Sequence, residues 1–274
     1  MSHYSVAVLM DGEECPESHV DEMMEGYNED WSGLDKSLLE FDDVEDSLMK
    51  KWKENTILES DKPEINGKAI QEAFKTFEQF VKYEEGFEER DETMGRFGYW
   101  SNPDAHWDWY VIGGRWENFL PIKKGRKGNI CRIKDLDYKK IEEDAFKKAN
   151  IFYDELIVAR KIMDGIEQDP GMFMYNIFEK VEAMNIGIYD DDKKLIGLKD
   201  ISRETIVKDN LHLFRWGTFA VVNEDGWNES GSMGWFGCSS YGDGQYMDWY
   251  KHYFDKFIMP REKDDFIAIV DCHI

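Results

Sequence analysis

The run Asp104-Ala105-His106-Trp107-Asp108-Trp109-Tyr110, continued by Val111-Ile112-Gly113-Gly114-Arg115-Trp116, sets polar groups of both signs among large aromatics. Pockets for flat polar ligands are commonly lined this way. On a strand, alternation puts His106, Asp108 and Tyr110 on one face and Trp107, Trp109 and Val111 on the other. The double glycine allows close approach of the backbone to a neighbour or ligand. Arg115 adds a permanent planar charge suited to carboxylate or phosphate, and Trp116 offers a stacking surface. The ligand-binding set read from this pattern is Trp107, Asp108, Tyr110, Gly113, Gly114, Arg115 and Trp116. A competing reading makes the tryptophans core anchors, Gly113-Gly114 a simple turn, and Arg115 the ion-pair partner of Asp108.

The terminus Asp271-Cys272-His273-Ile274 is the second constellation, since Asp271 and His273 share a face in a strand. If that strand adjoins the Trp107 strand, Asp108, Asp271 and His273 become acid–base candidates. No cofactor is expected. The weaker alternative is a divalent metal (zinc, iron or manganese) held by His106, Asp108, Asp271 and His273, with His3 as an extra ligand. Isolated histidines are more often structural. Cys238, with His252 or His273 as base, is a nucleophile candidate set against the commoner buried thiol. No GxxxxGK[ST] loop, HExxH helix, GxSxG elbow or CxxC pair occurs.

The elements that would position these residues follow from composition and periodicity. With 274 residues, 42% hydrophobic and 15% aromatic, the chain can bury a real core. Its formal charge of −24 repels phosphate backbones and anionic lipid, so direct nucleic-acid binding is not expected. Residues 1–60 hold 17 acids and 4 bases, which makes the N-terminal part the most acidic. One basic island (Lys123, Lys124, Arg126, Lys127, Arg132, Lys134) interrupts the field and is the natural docking point for an anion, or else a basic turn between two strands. Four widely spaced cysteines imply reduced thiols. The absence of a leader at Met1 and of a run of about 20 apolar residues implies a cytoplasmic protein with no membrane association.

Tyr4–Met10 reads as a buried strand, 13–30 as an exposed loop, and the acidic stretch to 62 as short amphipathic helices. Helices are expected over 68–89, 138–164, 171–184 and 248–257, and strands over 107–112 and 266–274. A hairpin turns on Asp225-Gly226, and 186–209 reads as a hairpin followed by a connection. The fold class is therefore α+β, with a mixed or antiparallel sheet containing both termini and packed by several helices. The expected organisation is one domain, 1–274, with an acidic segment at 11–65 and a helical insertion at about 138–185.

Met1-Ser2-His3-Tyr4-Ser5-Val6, the centre from Asn102-Pro103 to Arg115-Trp116, Phe219-Ala220-Val221-Val222 with Asp225-Gly226-Trp227, Met233-Gly234-Trp235, and Val270-Asp271-Cys272-His273-Ile274 together resemble an uncharacterised family of bacteriophage and plasmid proteins. The resemblance implies one unit over the whole chain and the setting of accessory genes on mobile elements, in a host cytoplasm. Members of that family often carry lysine where this chain has His106, which argues against His106 as a ligand. Two functions follow as expectations. One is a binding protein that captures a host factor or a small nucleotide-like ligand and blunts a host process such as antiviral defence, with homodimerisation left open. The other is a hydrolase or transferase acting on a nucleotide or a modified side chain.

Overall fold

The computed structural model describes residues 2–12, 16–56, 65–165, 177, 180–182, 184–192, 194–233, 239–240 and 245–274. The fold is α+β, and the chain divides into two compact units, Met1–Glu25 with Trp107–Ile274, and Gly26–His106. The divide falls inside the central aromatic motif.

The first unit is organised by its two terminal strands. β1 (His3–Met10) pairs antiparallel with β14 (Phe266–His273) along its whole length, from His3 opposite His273 to Met10 opposite Phe266. Seven of the eight residues in each strand are buried, which explains their nearly continuous apolar sequences: both faces are covered. The free edge of β1 takes β10 (Ala220–Asn223) in parallel, and β11 (Gly226–Glu229) folds back on β10 through the Asp225-Gly226 turn, with Gly226 at φ +104°. The other edge of β14 is shared. β4 (Trp109–Ile112) lies against its C-terminal half and β7 (Ile130–Arg132) against its N-terminal half. The sheet is mixed and holds both ends of the chain in its centre, as the sequence predicts.

One face of this sheet, through Ala7, Leu9, Val221, Ile267 and Ile269, packs on Tyr253, Phe254, Phe257 and Ile258. These come from a helix, Gln245–Tyr253, that widens into a π turn over Phe254–Ile258. Against β1, β10 and β14 also lies α1 (Pro16–Glu25). The expected loop over 13–30 is corrected here. Pro16 suits a first helical position, Glu17 sits in the first turn, and Val20 and Met24, one turn apart, are fully buried. Two apolar residues were enough to dock the helix, and eight acids in residues 13–30 concealed them.

Beyond β4 the chain makes the hairpin β5 (Leu120–Ile122) and β6 (Arg126–Gly128), so the first part of the basic island is a turn between two strands. α5 (Tyr138–Met163) follows, capped by the Asp137 carboxylate, which accepts the Lys140 N–H. Its apolar stripe, Ala145, Ala149, Phe152, Leu156 and Ala159, builds a second core with Ile206, Leu213 and Phe214. The expected hairpin is β8 (Gly187–Tyr189) with β9 (Leu195–Leu198), and the connection after it is a helix, Arg203–Asp209, capped by Ser202. β12 (Ser232–Met233) and β13 (Ser239–Ser240) form a small ladder. The helix expected over 171–184 lies mostly outside the described residues.

In the second unit β2 (Glu40–Asp43) pairs with β3 (Gly98–Ser101), where only short helices were expected before residue 62. α2 (Glu45–Glu54) agrees with the apolar spacing. The helix expected over 68–89 is two, α3 (Ile70–Ala73) and α4 (Phe77–Glu85), because Thr76 is extended and its hydroxyl accepts the Gln79 N–H. A side-chain cap of this kind starts a new helix in preference to continuing the old one. Arg90 clamps Glu45 with two hydrogen bonds of 2.9 and 3.0 Å at the start of α2.

Met24→Ala is expected to lower stability by about 2–4 kcal/mol in denaturant unfolding, because it opens a cavity in a closed site, whereas Glu22→Ala leaves it unchanged. The Glu45 carboxyl is held below its ordinary range, first by the Arg90 hydrogen bonds. A depressed carboxylate contributes stability that is complete above its unfolded value and lost as pH falls through and below it. Unfolding of the wild type should therefore steepen below about pH 4, and Glu45→Gln should flatten that dependence.

Candidate functional site

The register of the sheet builds a row across three strands. His3 of β1 faces His273 of β14, which faces Trp109 of β4. Residues directly opposed in antiparallel strands project from the same face, so the three rings stand together. Trp109 stacks on His273 with centroids 5.0 Å apart and an interplanar angle of 17°, and His3 meets both rings edge-on at 5.3 and 5.0 Å. The next row on this face holds Ser5, Asp271 and Val111.

Each imidazole is gripped by a carboxylate. His3 Nδ1 lies 2.8 Å from Asp271 Oδ1, and His273 Nδ1 lies 2.6 Å from Asp108 Oδ1. An ionised carboxylate only accepts, so the Nδ1 atoms carry the protons in these pairs. Asp108 is also tied through its backbone, whose N–H donates to the His273 carbonyl at 3.0 Å. Asp271 is buried and uses its second oxygen, Oδ2, to accept the Arg115 N–H at 2.9 Å. His273 is 6% exposed, yet its Nε2 is secluded from solvent and has no hydrogen-bond partner among the described residues. Native structures seldom leave such an atom unsatisfied.

The glycine pair makes this arrangement possible. Gly113 and Gly114 have φ of +83° and +52° and lead into a 3₁₀ turn, Gly114–Trp116. A Cβ on Gly114 would overlap the Asp271 carboxylate, and one on Gly113 would overlap the Asn129 amide. The turn therefore brings backbone onto a buried carboxylate, which a side chain would forbid.

Asp108, Asp271 and His273 are brought together, and His3 joins them as a full member. The expected face assignment is corrected. Regular pairing begins only at Trp109, so alternation does not extend back through Asp108. Asp108 and Trp109 both reach His273, while Trp107 is buried with its indole N–H on the Met24 carbonyl and its ring edge-on to Tyr110. The Tyr110 hydroxyl bonds the Asp21 carboxylate, and burial first, then that bond, pushes its titration upward. Trp107 and Tyr110 thus hold α1. Trp116 packs on the main core. Arg115 does not pair with Asp108: its side chain is exposed and has no hydrogen bond or ion pair among the described residues.

His106 belongs to the second unit. There its N–H donates to the Tyr27 carbonyl at 2.8 Å, its ring lies 6.0 Å from that of Tyr27, and burial lowers its basicity. Among the described residues no group of three or more histidines, cysteines or carboxylates is arranged to hold a metal ion. Cys272 is buried, and desolvation, then Asp271, raises its thiol well above the ordinary range, which leaves it without a nucleophilic role. Cys238 lies outside the described residues. No helix among them is long and apolar enough to cross a membrane.

His3, expected from the sequence only as an extra metal ligand, belongs to the site through Asp271. Its signal was present in the two terminal segments MSHY and DCHI: pairing two such strands antiparallel sets one histidine opposite the other. Gly114→Ala is expected to cost about 1–3 kcal/mol by overpacking and to accelerate hydrogen exchange at the Arg115 amide as its acceptor is displaced.

Comparisons of the chain with protein-family models, with curated proteins and with solved structures give no match.

Proposed function

We propose that this chain is an acid–base catalyst, a hydrolase or transferase acting on a nucleotide-like substrate at the His3–Asp271 and His273–Asp108 pairs. The observation that carries the reading is the meeting of two carboxylate-oriented imidazoles, 5.0 Å between ring centroids, on one sheet face. A carboxylate on Nδ1 fixes the ring and leaves Nε2 as the atom that takes or gives a proton. Two such groups side by side divide the labour of a displacement: one takes the proton of the attacking hydroxyl or water while the other protonates the leaving group. His273 Nε2 is secluded from solvent, so on this reading substrate binding has to uncover it. Trp109, 45% exposed, gives a flat group a surface beside the two rings. Arg115, uncommitted in a chain of −24, offsets the charge of an anionic group.

A second reading is favoured by the seclusion of that same Nε2, which a proton-transfer group must expose: the site captures a nucleotide-like ligand and keeps it unchanged. In the mobile-element setting that the resemblance implies, such capture would interfere with a host process such as antiviral defence.

The discriminating experiment incubates the purified chain with a panel of nucleoside phosphates, cyclic nucleotides and dinucleotides and follows both phases by mass spectrometry. Turnover of one class is expected. His3→Ala and His273→Ala should each lower kcat about 100-fold or more, the pair together little further because they act as a unit. Arg115→Ala should act mainly on KM, by about tenfold. A ligand recovered intact from the wild type and lost from Arg115→Ala would establish the capture reading instead. A panel left untouched and unbound would defeat both.

A further inference from the structure

A second feature of the first unit lies apart from the histidine centre. The β5–β6 hairpin and the first half of α5 enclose a cleft of about 500 Å³, within the range of small-molecule sites. Five bases line it, Arg126 and Lys127 from the hairpin and Lys140, Lys147 and Lys148 from α5, against two acids, Asp137 and Asp144. Asp137 is occupied as the cap of α5, and Asp144 pairs with Lys140 at 2.6 Å. Lys127, Lys147 and Lys148 are exposed and have no carboxylate partner among the described residues. That is unusual where acids outnumber bases 58 to 34: surface cations in such a chain readily find carboxylates.

The cleft also has an aromatic wall. Phe119 and Trp216 line it, their rings edge-on at 5.5 Å. Cations around an aromatic wall suit a ligand with an anionic tail and a flat head.

We infer that this cleft binds a nucleoside polyphosphate, its phosphates among Lys127, Lys147 and Lys148 and its base toward Phe119 and Trp216. A longer polyanion is disfavoured for an electrostatic reason. The positive field is local, screened within about 8–10 Å at physiological salt, and a nucleic-acid strand running past the cleft would meet the acidic remainder of the molecule.

Calorimetric titration of the full-length chain with ATP, with inorganic tripolyphosphate and with a single-stranded oligonucleotide tests the inference. ATP should bind about tenfold more tightly than tripolyphosphate, by base stacking. Measured in an Arg115→Ala/His273→Ala background, which removes any contribution of the histidine centre, Lys127→Ala/Lys148→Ala should weaken the remaining ATP binding by about tenfold or more, and Lys127→Arg/Lys148→Arg should restore it. Absence of ATP binding, binding that survives Lys127→Ala/Lys148→Ala, tripolyphosphate equal to ATP, or an oligonucleotide tighter than ATP would each overturn it.

Discussion

The pairing of β1 with β14 is the constraint on which the rest depends. It joins the two ends of the chain, closing a very long loop, and the entropic cost of that closure grows only logarithmically with length. What holds it is burial on both faces along eight residue pairs. The same register fixes the chemistry. Side chains alternate with a period of two, so a slip of β14 by one residue against β1 would turn Asp271 and His273 away from His3, to the face that meets α1. A slip would also exchange the apolar side chains fitted to each face of SVAVLM and FIAIV, which close packing resists. Core packing therefore chooses which polar residues meet.

Much of this was legible because the signals were local and strong. Two valine- and isoleucine-rich runs at the termini, an Asp-Gly turn between short strands, and apolar residues at three- and four-residue spacing from Ile141 to Met163 each have one economical structure. The errors came from interactions that sequence spacing does not display. Val20 and Met24 form a helix because a sheet face lies ready to receive them. Thr76 breaks a plausible long helix by bonding the Gln79 amide. Asp108 leaves the strand alternation because His273, far away in sequence, holds both its carboxylate and its N–H. The residues of the centre were readable as types. Their meeting was not, since strand adjacency is settled by the whole sheet.

The polar accounting within the centre is uneven, and the unevenness is informative. Asp271 is buried but satisfied at both oxygens, by an imidazole and by a backbone amide delivered through a glycine that nothing larger could replace. That is how a buried carboxylate is made affordable. His273 is nearly as buried, and among the described residues its Nε2 has no partner. A core built only for stability would have placed an apolar ring there, stacked on Trp109 with the same shape and without the cost of a stranded nitrogen. The same reasoning applies to Gly113-Gly114, whose left-handed conformations carry an entropic cost. Both expenses fall on one patch of one sheet face.

Charge gives an independent line of argument. In a chain of −24 the average position repels anions, so exposed cations with no carboxylate partner among the described residues stand out against the background. Arg115 is one, placed where its own backbone touches the Asp271 carboxylate. Lys127, Lys147 and Lys148 are others, gathered beside aromatic rings. The acidic background does not cancel such places, since screening confines each field to its surroundings. It raises their selectivity instead: a small anion can enter a local positive field, while an extended one meets repulsion at its ends. A strongly acidic surface around a few uncommitted cations is thus a filter for the size of the anion, set by the Debye length rather than by the shape of any one pocket.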